Sequence, residues 1–315
     1  MKGRPLLLAA AIFAALIIGV GLWLYTPDKS RAALEAEYAR PPSTFVDAAG
    51  IRLHVRDTGP HDAPALIMLH GFGSSLHTWD AWAATLTGPY RVVRLDLPSF
   101  GLTGPDPASD YSDARTFAIL LALMDRLGIP RATFVGNSMG GGIAWRFTAA
   151  QPDQVERLIL VSPDGFRQPG EPPPSAGPRK LPFVITMMRY VLPSFLLRQN
   201  IAPSYGDPGK LTATTLARSR DMLLAAGNRD AILARMMQMT RPDPVPILRT
   251  IQVPTLLIWG EQDRLIPFTN AADYMAALPH ATLVPLPGQG HVPQEEAPDV
   301  SVVPLLAFLD STRAA

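Results

Sequence analysis

One serine stands among glycines in Gly136-Asn137-Ser138-Met139-Gly140, between a short apolar run, Thr133–Val135, and a helix-forming stretch, Met139–Ala150. The spacing predicts a strand, a tight turn and a helix, with the hydroxyl raised at the carboxyl edge of a sheet. Glycines suit such a turn because side chains there would collide with it and with a substrate. A serine hydroxyl is a weak nucleophile until a neighbouring base takes its proton. Six histidines are available: His54, His61, His70, His77, His280 and His291. His54 falls within a predicted hairpin strand, and His61 and His280 fall in turns. His291, in Pro287-Gly288-Gln289-Gly290-His291, follows the last predicted strand. A glycine-rich loop at that place can carry an imidazole to the same edge. Two aspartates could hold the ring: Asp263, after the strand Thr255–Trp259, and its rival Asp164, after Leu158–Val161. Asp263 is the preferred partner.

The elements that must position these groups alternate along the chain. Strands are predicted at Ser43–Asp47, Ile51–Asp57, Leu66–Leu69, Arg91–Leu95, Thr133–Val135, Leu158–Val161, Thr255–Trp259 and Ala281–Pro285. Between them lie helical patterns. In Asp113–Leu127, residues Phe117, Leu120, Leu121, Met124 and Leu127 share one face, and Gly128 closes the helix. Alternation of this kind implies an α/β fold, a mostly parallel sheet with helices on both faces. Residues 166–249 break it: after a Pro-rich passage, 168–182, only helical patterns follow. That stretch is expected to be a helical lid inserted between core segments 43–165 and 250–315, and residues 28–42 a stalk.

Composition narrows the partners. Among 315 residues, 47% are hydrophobic and 17% charged, enough for a sizeable core, and a formal charge of +1 gives no reason to expect nucleic acid. Cysteine is absent, which removes disulfides and a thiol nucleophile together. The histidines are scattered, so no metal is expected. Gly71-x-Gly73 followed by Asp96 is close to a dinucleotide fingerprint, but Leu76 stands where the third glycine belongs, and no cofactor is expected. Leu6 to Tyr25 carries no charge and spans about 30 Å as a helix, so residues 1–27 are expected to form an uncleaved single-pass anchor. Residues 6–25 would then contact a lipid bilayer, and the charges around them lean toward a periplasmic, extracytoplasmic domain.

The order Ser138…Asp263…His291 on alternating strands and helices resembles the α/β-hydrolase family, from about Ser43 to the C-terminus. His70-Gly71-Phe72-Gly73 resembles its oxyanion loop, and Gly288-x-Gly-His-x-x-x-x-Glu-x-Pro its histidine loop. Asp96-Leu97-Pro98-Ser99-Phe100-Gly101 resembles its Asp-x-Pro-Gly-x-Gly turn, with Ser99 where glycine is usual. The resemblance implies a Ser138–His291–Asp263 triad, with the backbone N–H groups of Phe72 and Met139 as oxyanion hole. His70, Gly71, Gly136 and Gly140 would support them. It implies serine-dependent cleavage of a small, hydrophobic carboxylic ester in esterase or lipase fashion, through an acyl-enzyme. Two alternatives stand beside it: carbon–carbon hydrolysis of ring-fission diketones, and a non-catalytic binding protein on the same fold. Asn-Ser-Met-Gly-Gly and Ser-Pro-Asp-Gly are reminiscent of the diketone enzymes, whereas Val292 stands where they would carry tryptophan.

Overall fold

The computed structural model describes residues 4–167, 180–240 and 242–311. Its first half holds α1 (Arg4–Leu24), α2 (Arg31–Tyr38), β1 (Ser43–Ala48), β2 (Ile51–Thr58), β3 (Ala65–Leu69), α3 (Asp80–Leu86), β4 (Arg91–Leu95), α4 (Asp113–Leu127), β5 (Ala132–Asn137), α5 (Met139–Ala150) and β6 (Val155–Val161). There follow α6 (Phe183–Thr186), α7 (Ser194–Ile201), α8 (Ala213–Leu224), α9 (Asn228–Gln238), α10 (Pro244–Leu248), β7 (Thr255–Gly260), α11 (Asn270–Ala277), β8 (Ala281–Leu286), α12 (Pro293–Glu296) and α13 (Pro298–Ser311).

The eight strands form one sheet in the order β1-β2-β4-β3-β5-β6-β7-β8. β1 and β2 enter as an antiparallel hairpin, β2 pairs antiparallel with β4, and every later pair is parallel. The parallel strands are apolar on both sides because both faces are covered. Ile67, Phe134, Leu158 and Leu257 point to one face, among Leu120, Ile143 and Tyr274 of α4, α5 and α11. Their chain neighbours Leu66, Val135, Ile159 and Leu256 point to the other, among Trp82, Leu86, Leu305 and Leu309 of α3 and α13. The period of two along each strand thus fills two cores at once.

Local signals set the ends. The Ser112 hydroxyl accepts from the Arg115 N–H at the start of α4, and Gly128, at φ 65°, turns the chain out of it. Between β6 and β7 the described residues contain no strand and form α6 to α10. The Pro-rich passage expected at 168–182 lies outside the described residues from 168 to 179.

The N-terminal anchor is a correction. α1 forms, yet among the described residues no helix is long and apolar enough to cross a membrane. The expectation rested on an uncharged run over residues 6–25, and length with absence of charge is not by itself enough to make a spanning helix. With the anchor goes the expected placement of the remaining chain on the far side of a bilayer. The segment beyond α1 instead ties itself to the insertion. Tyr25 bridges to Val191, and the Thr26 and Lys29 N–H groups donate to Tyr190 and Leu224 carbonyls at 2.8 and 2.7 Å. Arg229 pairs with Asp28 at 2.6 Å.

Candidate active site

Ser138 sits between β5 and α5 with φ 53° and ψ −121°, a strained conformation for a residue with a side chain. Its N–H donates to the Val161 carbonyl of β6 at 3.0 Å, which fixes the turn to the sheet. The flanking glycines are steric necessities. A Cβ on Gly136 would lie 2.4 Å from the Gly140 carbonyl oxygen, and one on Gly140 would lie 2.2 Å from the Leu69 carbonyl oxygen.

His291 follows β8 and is buried. Its Nδ1 lies 2.7 Å from Asp263 Oδ2, so Asp263 rather than Asp164 meets the ring. The other Asp263 oxygen accepts the Leu265 and Ile266 N–H groups at 2.8 and 2.9 Å. With those two donors fixing the carboxylate, the imidazole proton is held on Nδ1 and Nε2 is left as the acceptor. Ser138 and His291 line one cavity. Among the described residues no hydrogen bond joins the Ser138 hydroxyl to the ring.

The loop that the resemblance assigns to the oxyanion begins at His70, whose Nδ1–H donates to the Gly71 carbonyl at 2.7 Å while Nε2 accepts from the Leu97 N–H at 3.0 Å. Burial holds this ring's pKa below the usual histidine range, so it serves as a neutral brace. Phe72 lines the same cavity as Ser138. Within the described residues the Phe72 and Met139 amides find no acceptor, and both remain available to a ligand.

Several supporting groups escaped sequence reasoning. Asn137 Nδ2 donates to the His291 carbonyl at 3.0 Å, tying the serine turn to the histidine loop. Buried Glu296 accepts three backbone N–H groups, from Gly206, Asp207 and Gly290, at 2.8 to 2.9 Å. One carboxylate therefore joins the histidine loop to the insertion. The Glu-x-Pro spacing after His291 marked this residue without revealing its partners. His54, expected in a hairpin strand, is fully buried, with Nδ1 2.7 Å from Asp96 Oδ2.

Asp96 also accepts the Leu76 and Leu102 N–H groups at 2.7 Å each. Burial opposes its charge, but the His54 imidazole and hydrogen bond outweigh it and hold the carboxyl well below the usual carboxylate range. The turn above explains Ser99: at φ 79° it occupies the left-handed region that glycine ordinarily fills. Because the native Asp96 carboxyl binds its proton more weakly than the unfolded one, its stabilisation is present above the unfolded pKa of about 3.9 and is lost as pH falls further. Asp96→Asn should lower stability at neutral pH by roughly 1–3 kcal/mol and flatten the acid limb of the stability curve, measured by urea unfolding from pH 7 to 3. An unchanged acid limb would contradict the assignment.

Similarity to known proteins agrees with this architecture. The chain belongs to the alpha/beta hydrolase fold family, whose model matches residues 64–298. It is 29% identical over 264 residues to the 2-hydroxy-6-oxo-6-phenylhexa-2,4-dienoate hydrolase of Burkholderia cepacia, covering 80% of this chain and 88% of that protein. It is 30% identical over 258 residues to a 2-hydroxy-6-oxononadienedioate/2-hydroxy-6-oxononatrienedioate hydrolase of Pseudomonas putida, covering 78% and 87%. Among solved structures, a bacterial membrane phospholipase A superposes with a TM-score of 0.74 at 26% identity, covering 99% of this chain and 98% of that one. The protein is thus an enzyme, a hydrolase, and the non-catalytic alternative falls away.

Proposed function

We propose that this hydrolase cleaves neutral, apolar carboxylic esters, with Ser138 as nucleophile, His291 as base and then acid, and Asp263 as the group that orients the ring. The Phe72 and Met139 amides would hold the oxyanion of each tetrahedral intermediate. His291 Nε2 takes the Ser138 proton as the hydroxyl attacks, returns it to the departing alcohol, and then activates the water that frees the acid. The described helices of the insertion, α6 to α10, act as the lid over this chemistry.

One observation carries the ester reading. The cavity of about 680 Å³ beside Ser138 is walled by apolar groups such as Ile185, Met188, Leu197, Ile232 and Met236, and among the described residues its lining contains neither lysine nor arginine. Among the described residues its single acid, Glu295, accepts the Tyr205 hydroxyl at 2.8 Å. Such a wall favours an uncharged acyl chain and offers no counter-ion to a free carboxylate. The name of the membrane phospholipase A, a protein this chain matches almost end to end, is in keeping with ester cleavage.

Carbon–carbon hydrolysis is the second reading. The names of the B. cepacia and P. putida relatives support it, and among the curated relatives they favour it over ester cleavage. Val292, not tryptophan, lines the cavity next to His291. The test is a substrate panel: p-nitrophenyl esters from acetate to dodecanoate, beside 2-hydroxy-6-oxo-6-phenylhexa-2,4-dienoate. The ester reading expects turnover of the neutral esters, rising with medium acyl length, and at least 100-fold lower kcat/KM for the dienoate. Turnover of the dienoate with no ester cleavage at any length would transfer the assignment to the second reading.

A further inference from the structure

A second cavity, of about 420 Å³, lies where the insertion crosses the core. Its charged lining consists of Arg40, Arg56 and Arg218 against one carboxylate, Glu37. Arg56 is locked in place. Its Nε donates to Ser43 Oγ at 2.9 Å, and its Nη2 to the Tyr38 carbonyl at 3.2 Å and to His77 Nε2 at 3.1 Å. Its Nη1 reaches Asp80 Oδ1 at 2.9 Å, but the same oxygen also takes Arg94, so one negative charge is divided between two guanidiniums. Arg40 and Arg218 form no ion pair among the described residues. His77, in the same lining, adds no charge: burial, reinforced by Arg56 and Arg218, brings its pKa down to about 4.

We propose that this cavity binds a phosphate or phosphate-monoester anion between Arg218 of the insertion, Arg40 of the segment before β1 and Arg56 of the core. Guanidinium groups match phosphate oxygens in geometry as well as charge, and an excess of positive charge in a concave site has a dianion as its natural complement. The bound anion would cross-link the two layers. It would also fix the wall of the active cavity, because both cavities share α8. Thr214, Ala217 and Arg218 face the anion cavity. Thr215, Ser219 and Leu223, at a spacing of four, face the cavity beside Ser138. The site is independent of which bond the enzyme cleaves.

The test uses the full chain, with inorganic phosphate or glycerol phosphate replacing chloride at constant ionic strength and pH. Calorimetric titration and thermal melting should show saturable binding in the millimolar range or tighter, with a Tm rise that chloride does not give. Arg218→Ala and Arg40→Ala should each weaken binding at least 10-fold, and Arg218→Lys less. Neither residue makes an ion pair among the described residues, so the variants should melt in chloride as the parent does, which separates loss of binding from loss of fold. Binding of glycerol phosphate alone would assign the site to phosphate monoesters, and equal binding of both anions to the phosphate group itself. Phosphate acting no better than chloride, or binding unchanged in both alanine variants, would overturn the proposal.

Discussion

Ser138→Ala should lower kcat by four to six orders of magnitude while the protein folds and melts nearly as before. The reason is that no other group can replace the hydroxyl at that point. The turn holding it is enforced by close backbone contacts at Gly136 and Gly140, so a water molecule left in its place would gain no comparable activation. In serine hydrolases whose triads have been dismantled, loss of the nucleophile costs about 10⁶-fold in kcat, and the residual rate comes from the oxyanion donors and binding. Removing a side chain from a φ 53° residue does not add strain, and alanine keeps the Ser138 N–H bond to Val161. A saturating-substrate assay with single-turnover controls measures the effect. Activity within 10-fold of the parent would remove Ser138 from the chemistry.

Asp263→Asn should reduce kcat by about 10⁴-fold with little change in KM. The Leu265 and Ile266 N–H groups already claim one Asp263 oxygen. In the asparagine variant they would hold the amide oxygen and turn its NH₂ toward His291. The ring would then accept on Nδ1 and carry its proton on Nε2, the tautomer that cannot receive the Ser138 proton. A change that merely loosened the loop would instead raise KM and lower Tm. Parallel kinetics, melting and ring-nitrogen NMR separate the two outcomes, and a native Nδ1–H tautomer in the variant would contradict the account.

Much of this was legible in the residues because the signals were local. The apolar spacing of Asp113–Leu127 and the glycine after it gave α4 its observed ends, and Gly-x-Ser-x-Gly gave the strand, turn and helix around Ser138. The parallel sheet followed from strands apolar on both sides. Strand ends left both Asp263 and Asp164 as partners for His291, with the family resemblance favouring Asp263, and the structure puts His291 Nδ1 and Asp263 Oδ2 at 2.7 Å.

What stayed hidden depends on distance in sequence. Glu296 draws its donors from residues 206, 207 and 290, and no pattern around position 296 announces partners 90 residues away. His54 reads as an ordinary strand residue until Asp96, 42 positions on, is folded against it. Within the stretch read only as helical, α9 begins at Asn228, where Gly227 at φ 86° turns the chain into it. The expected anchor shows the opposite failure. Composition alone spoke for a membrane span, and the described residues do not provide one, while residues just beyond α1 are bound to the insertion.

The measurement that bears most directly on the triad is covalent labelling of the native enzyme with a fluorophosphonate, followed by peptide mass spectrometry. Modification on Ser138 alone, abolished by Ser138→Ala and slowed at least 100-fold by Asp263→Asn, is the predicted result. An unlabelled Ser138 in an enzyme that still turns over substrate, or a label carried by another residue with activity lost in step, would contradict it.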